Sequence, residues 1–526
     1  MMKFLSGIVL CSVLIFLTAC KSESKKEESV KEESMAKEEV ASVYMEPYRP
    51  QYHFSPQEKW MNDPNGLVYH KGVYHLFYQY YPNDIVWGPM HWGHATSKDM
   101  IHWEHKPIAL YPDEHGYIFS GSALVDTENT SGLGTKENPA LVAIFTYHNK
   151  DAEDAGRNDY ETQGIAYSLD NGETWTKYAG NPVIKNDGMK DFRDPKVFWN
   201  AKTKQWTMML VAGDHLQIWL SKDLLQWEKA SVFGKKQGAH GGVWECPDLF
   251  PLQVEGTDIT KWVLLISVNP GAPNGGSGTQ YFIGDFDGTT FTSTQKETRW
   301  LDWGTDNYAG VTYNNTPNKD RIFIGWMSKW NYATKTPTLR WRSAMTVPRK
   351  LNLKKFGDQI HLVNYPIAAV DTLVKKTASK NITVGAGQTQ ELNTETLNQT
   401  EVTFSTDAKD FVLFFKNDAN EELVVTISKN YKAVLIDRIV SGKTNFQEDF
   451  ANTIHQMPIA DLPDTAFNVR ILMDQSSMEL FINDGQYVMT EQIFPSKPYT
   501  SLVIENTGQK VLEFKDLSVS PVEKVW

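Results

Sequence analysis

From residue 47 onward the apolar residues fall into short runs separated by Gly, Asn and Asp, and helical spacing is scarce. Runs such as Val73-Tyr74-His75-Leu76-Phe77-Tyr78 and Met478-Glu479-Leu480-Phe481-Ile482, bounded by turn residues, predict short strands and an all-β chain. Five strand–turn–strand units recur, opening at Asp63-Pro64, Ser120-Gly121, Asp194-Pro195, Glu245-Cys246 and Asp306-Asn307. A second repeat follows three of them: Ser97-Lys98-Asp99 with Trp103, Ser168-Leu169-Asp170 with Trp175, and Ser221-Lys222-Asp223 with Trp227. Asp285-Phe286-Asp287-Gly288 with Phe291 is a looser copy. Each reads as an outer hairpin whose Trp packs the unit. Five four-stranded units predict a five-bladed β-propeller over residues 47–355. A connector over 356–380 follows, and then residues 381–526, where strands such as Phe411-Val412-Leu413-Phe414 predict a β-sandwich.

The N terminus departs from this pattern. Lys3 precedes an apolar stretch from Phe4 to Phe16, and Leu17-Thr18-Ala19-Cys20 ends it. That is the layout of a secretory signal. Its ending resembles a bacterial lipobox, which implies cleavage after residue 19 and lipidation of Cys20. Residues 20–46 are mostly Lys, Glu and Ser, too polar to fold, and predict a solvated tether like those of surface lipoproteins. The expected location is the outer membrane, at the cell surface. Cys11 would leave with the signal, so Cys246 is the one thiol expected to remain, with no intrachain disulfide. The net charge of −12 argues against nucleic acid or an anionic membrane as partner, leaving the lipid as the membrane contact. No cofactor is expected. No metal site is expected either: cysteines are too few, and His91 and His94, three apart on a strand, point to opposite faces. Oligomeric state is left open.

Candidate chemistry lies in Trp60-Met61-Asn62-Asp63-Pro64-Asn65-Gly66, Phe192-Arg193-Asp194-Pro195 and Trp244-Glu245-Cys246-Pro247-Asp248. Taken singly these are ordinary turn sequences. Together they place an acid, beside a proline or one residue short of it, at the head of a unit's first strand. First strands line the axis of a propeller, so Asp63, Asp194, Glu245 and Asp306 are expected at one mouth of the channel. Convergent carboxylates suit glycosidic cleavage, and the 17 Trp supply faces for stacking on sugar rings.

These motifs resemble glycoside hydrolase family 32, the invertase, inulinase and levanase family. Further matches are Phe77-Tyr78-Gln79-Tyr80, His91-Trp92-Gly93-His94-Ala95, Phe119-Ser120-Gly121-Ser122, Gly325-Trp326-Met327 and, in the second domain, Ser476-Ser477-Met478-Glu479-Leu480-Phe481-Ile482. The resemblance implies a propeller followed by a sandwich. It further implies Asp63 as nucleophile, Glu245 as acid/base with a raised pKa, and Asp194 as the carboxylate that holds sugar hydroxyls. Asn62, Gln79, Trp87, Phe119, Ser120, Arg193, Asp306 and Trp330 are expected to bind substrate, and Arg193, next to Asp194, is also expected to help keep that acid charged. Asn307 stands where many relatives carry Phe, which unsettles the subsite beside Asp306. The implied activity is retaining hydrolysis of β-fructosidic bonds in fructans, levan favoured, with inulin or sucrose as other substrates. The alternatives are endo rather than exo cleavage, a fructosyltransferase, and a non-catalytic glycan-binding lipoprotein.

Overall fold

A computed structural model describes residues 44–526. The signal sequence, Cys20 and the tether up to residue 43 lie outside the described residues.

Five antiparallel sheets follow one another from Lys59 to Pro366. Their first strands are Lys59–His70, Tyr117–Val125, Phe192–Asn200, Val243–Gln253 and Tyr308–Thr312. Neighbouring first strands touch around a closed ring, so the sheets are the blades of a five-bladed propeller. Backbone hydrogen bonds close the ring between the last blade and the first. Asn314 N donates to Leu67 O at 2.9 Å, Tyr69 N donates to Asn314 O at 3.0 Å, and Trp341–Arg342 runs parallel to Lys59–Trp60.

The second strands, such as Leu141–His148 and Gln205–Ala212, are buried along nearly their whole length because adjacent blades cover both faces. The repeated outer turns form as the spacing predicts. In each, a Ser Oγ donates to the Asp two residues on, and a Trp Nε1 donates to a turn carbonyl: Trp103 to Met100, Trp175 to Gly172, Trp227 to Leu224. These tryptophans pack blades.

The expected end of the propeller falls short of the observed one. Gln359–Pro366, assigned from sequence to the connector, pairs with Arg349–Phe356 as the outer strand of the fifth blade. The sandwich beyond it has two six-stranded sheets. Ser501–Asn506 shows the period of two directly, turning Leu502, Ile504 and Asn506 inward. Phe404, Phe415, Ile471 and Leu480 fill the space between the sheets.

The two domains share a core. Leu472, Phe481 and Val488 of the sandwich join Met345 and Val347 of the propeller in one apolar cluster. Buried ions cross the same junction. Arg349 pairs with Asp302 at 2.9 Å and Glu479 at 2.8 Å, and Arg438 with Asp306 at 2.7 Å and Glu491 at 3.0 Å.

Candidate active site

The first strand of every blade carries a β-bulge near its start. Register with the second strand slips at Met61/Pro64, Ile118/Gly121, Glu245/Asp248 and Tyr308/Val311, and in the third blade beside Asp194. A bulge bends the strand and re-aims a side chain. It also tolerates a proline, which has no N–H to give to the ladder. That accommodates the proline one or two residues after each acid: Pro195 and Pro247 sit where pairing is broken, and Pro64 where it resumes opposite Tyr78. Asp194 has φ of 64° and Cys246 of 47°, left-handed values that cost energy for these residues and accumulate at functional sites.

The bulges bring Asp63, Asp194 and Glu245 to one cavity of about 300 Å³ at the axis. Asn62, Gln79, Trp87, Phe119, Ser120, Arg193 and Trp330 line it with them. Asp63 Oδ2 accepts from Ser120 Oγ at 2.6 Å, and its Oδ1 from Asn62 Nδ2 at 3.0 Å. Trp60 Nε1 donates to Asn62 Oδ1 at 2.7 Å and fixes that amide. Asp194 Oδ2 accepts from Cys246 N at 3.0 Å, and the Cys246 thiol lies 3.6 Å from both Asp63 and Asp194. Glu245 Oε1 accepts from Arg193 Nη2 at 3.0 Å, and its Oε2 from the Tyr308 hydroxyl. Trp87 and Phe119 form one wall, edge to face at 6.1 Å. Trp330 forms another, stacked on Trp60 and against Trp326.

Burial raises all three acids, and their shared charge adds to it for Asp194 and Glu245. Asp63 is raised by burial, opposed by the Ser120 and Asn62 side chains more than by the amides of its own turn. Glu245 is raised by burial and the Asp63 charge, against the pull of Arg193 and Tyr308. Asp194 is pushed up to about 8 by burial and by Glu245 and Asp63, with Arg193 opposing. Asp194 therefore holds its proton well above the usual range, and Asp63 and Glu245 are raised as well, which suits a site that needs one protonated acid beside an ionised one.

Arg193 does act on Asp194, its charge favouring the ionised carboxylate, but through space: its hydrogen bonds go to Glu245, with Asp191 at 2.8 Å and Glu161 at 3.2 Å behind it. One expectation is corrected. Asp306 does not line the cavity. It is fully buried, receiving Arg438, the Tyr332 hydroxyl at 2.6 Å and Gln492 N at 2.9 Å. The sandwich covers this end of the fifth blade and takes the carboxylate into a structural network.

Sequence reasoning did not single out His148, Glu153, Tyr160, Glu161, Asp191 or Tyr308. The first five line the cavity, and Tyr308 bonds Glu245 beside it. His148 stacks on Phe119 at 4.2 Å and faces Glu161 and Glu153 at 3.3 Å each. Tyr308 alone had a signal, as the aromatic heading the fifth unit. His91 and His94 turn elsewhere: His91 Nδ1 meets Pro89 O at 2.9 Å, and His94 Nε2 meets His75 Nδ1 at 3.0 Å. Among the described residues no three His, Cys, Asp or Glu are grouped to hold a metal ion.

Known proteins share this arrangement. The model for the glycosyl hydrolases family 32 N-terminal domain matches residues 53–366, and that for the family's C-terminal domain matches 369–521. A levanase of Bacillus subtilis is 46% identical over 92% of this chain and 72% of its own length. An extracellular exo-inulinase of Aspergillus niger is 41% identical over 88% of this chain and 93% of its own. The crystal structure of exo-inulinase from Aspergillus awamori superposes with a TM-score of 0.83 at 38% identity, covering 92% of this chain and 100% of that one. With both domain models matched in order and the three carboxylates gathered at the propeller axis, the chain belongs to glycoside hydrolase family 32 and is a glycoside hydrolase.

Proposed function

We propose that this enzyme hydrolyses β-fructosidic bonds at the ends of fructan chains, levan first, by double displacement. The observation that carries the reading is the meeting of Asp63, Asp194 and Glu245 in one walled pocket. Asp63, oriented by Ser120 and Asn62, attacks the anomeric carbon of the terminal fructosyl unit. Glu245 protonates the departing oxygen and then draws a proton from the incoming water. Asp194, held by the Cys246 amide, takes sugar hydroxyls. Retention requires the two reacting carboxyls about 5–5.5 Å apart in the working complex. Walls of Trp87, Phe119 and Trp330 around a small pocket suit a chain end, which supports exo action. The similarity to a levanase supports levan, and that to exo-inulinases supports release of single units. Product analysis on levan, inulin and sucrose tests this. Fructose alone, fastest from levan, is expected; a ladder of oligosaccharides would sink exo action. NMR of fresh hydrolysate should show β-fructose first, and initial α-fructose would mean single displacement.

We further propose, from the ending Leu17-Thr18-Ala19-Cys20, that the enzyme sits at the outer membrane of its cell, anchored through Cys20. Cys20→Ala should release active enzyme from the membrane fraction. A variant that still pellets with membranes would remove the anchor from the proposal.

A further inference from the structure

The first strands run the length of the propeller axis and so have two ends. The acids sit near the starts. At the far ends lies a second cavity, of about 550 Å³, lined by the second to fifth blades. Val125 closes Tyr117–Val125 and Asn200 closes Phe192–Asn200, and both line it. Asp194 and Asn200 are six residues apart on one strand, so at ~3.3 Å per residue the two cavities stand about 20 Å apart. They share no lining residue.

The far cavity has a built interior. Phe198, Trp199, Trp206 and Trp262 supply aromatic faces. Trp206 is anchored, with Nε1 donating to Thr130 Oγ1 at 2.8 Å. Trp199 packs edge to face on it at 5.0 Å yet stays 37% exposed, which leaves a fixed indole face on the opening. Arg321 reaches the cavity beside Phe250, its guanidinium 5.3 Å from that ring and making no side-chain hydrogen bond to a described residue. Burial lowers the pKa of its guanidinium, with Asp248 opposing. A guanidinium with five donors thus lines the same cavity as the exposed indole face of Trp199. Exposed Lys202 and Glu128 stand at the rim.

We propose that this cavity is a second, non-catalytic saccharide site. A sugar residue stacks its apolar face on Trp199 while Arg321 donates to its hydroxyls. The ligand is a stretch of fructan, so the proposal rests on the fructan reading of the enzyme. Its effect is avidity. A polymer held at the far mouth raises the local concentration of chain ends for the catalytic mouth, without a new contact there. Sucrose is too short to gain from it.

Binding is read on the full chain carrying Glu245→Gln, so that polymer is not consumed during the measurement. Migration through native gels containing levan or inulin should be retarded, and adding Trp199→Ala should weaken that retention roughly fivefold or more, the loss usual for an aromatic anchor. In the active enzyme Trp199→Ala should lower turnover on dilute levan and leave kcat/KM for sucrose unchanged, which also reports that the variant is folded. Titration of Glu245→Gln with a short fructo-oligosaccharide should show two sites. A single site overturns the proposal even if Trp199→Ala does not fold. Unchanged retention in a folded Trp199→Ala also overturns it, as does a dimer in gel filtration that this substitution splits while retention stays the same. Retention by an enzyme that hydrolyses no fructan would overturn the proposed function and leave this site standing.

Discussion

At the residue scale the site is governed by proton affinity. Asp194 is pushed up to about 8 in the folded enzyme, against about 3.9 for a free Asp. A raised carboxyl binds its proton more tightly in the folded state. Its contribution to stability is therefore full below pH 4 and lost as pH rises through about 8. Asp194→Asn removes that loss and can still accept from the Cys246 amide. Thermal melts should show the variant gaining on the parent from pH 4 to pH 8 while its activity collapses. An equal difference at both pH values would show that Asp194 is not held protonated. Tyr308→Phe tests the acid/base in the opposite sense. The Tyr308 hydroxyl donates to Glu245 and lowers its pKa, so the variant should move the basic limb of the kcat/KM profile upward, with activity down about tenfold. A basic limb that stays in place would detach Tyr308 from that proton. Asp63, Asp194 and Glu245 were legible because each stands in a short motif at the head of a repeated unit. His148, Glu161 and Asp191 were not. Glu161 reaches Arg193 from the neighbouring blade and His148 meets Glu161 across a hairpin, pairings that no local pattern marks, while Asp191, only two residues from Arg193, falls just outside the motif.

At the scale of elements, the repeats carried the fold. Period-two runs, Ser-x-Asp turns and a fixed order of acid and proline were enough to infer five blades. They did not show the bulges, which are relations between two strands. The second blade shows how close the fit is. A Cβ at Gly121 would stand 2.1 Å from Ile144 O and 2.7 Å from Phe145 Cα, both backbone atoms that cannot move aside. Gly121→Ala should push Tyr117–Val125 off its partner strand and draw Ser120 away from Asp63. The expected result is a loss of kcat greater than any rise in KM, together with a lower melting temperature; unchanged kcat would mean the strand absorbs the methyl elsewhere. Asp306 is the instructive error. In the sequence it opens its unit as the other acids do, so the repeat placed it with them, but the strand begins only at Tyr308 and Asp306 lies before it. Its partner Arg438 lies 132 residues further on in another domain, beyond what a repeat can report.

At the scale of the whole molecule, the propeller and the sandwich are joined by the junction that claims Asp306. His53 lies between Asp474 at 2.8 Å and Glu479 at 3.1 Å, and these acids raise its pKa to about 9 against the cost of burial. The sign follows from the shift: this stability is full below about pH 6.5 and lost as pH rises through about 9. His53→Gln should thus cost most at pH 6 and least near pH 10, read by denaturant midpoints. Arg438 is the sharper case. Its guanidinium serves Asp306, Glu491, the Tyr332 hydroxyl at 2.9 Å and the Phe450 carbonyl at 2.8 Å, all buried. Removing one member of such a group strands the others in a low dielectric and costs about 3–5 kcal/mol. Arg438→Ala should lower the unfolding midpoint by that order. Adding Asp306→Asn should recover part of the loss, because one of the two stranded carboxylates, Asp306 and Glu491, is then gone. The effect should also reach the catalytic pocket. Asp306 holds Tyr332, two residues from the Trp330 wall, so KM for fructan should rise in Arg438→Ala more than kcat falls. If instead the single and double variants melt together and KM is unmoved, the network is a passive seam, and the sandwich does not help shape the pocket.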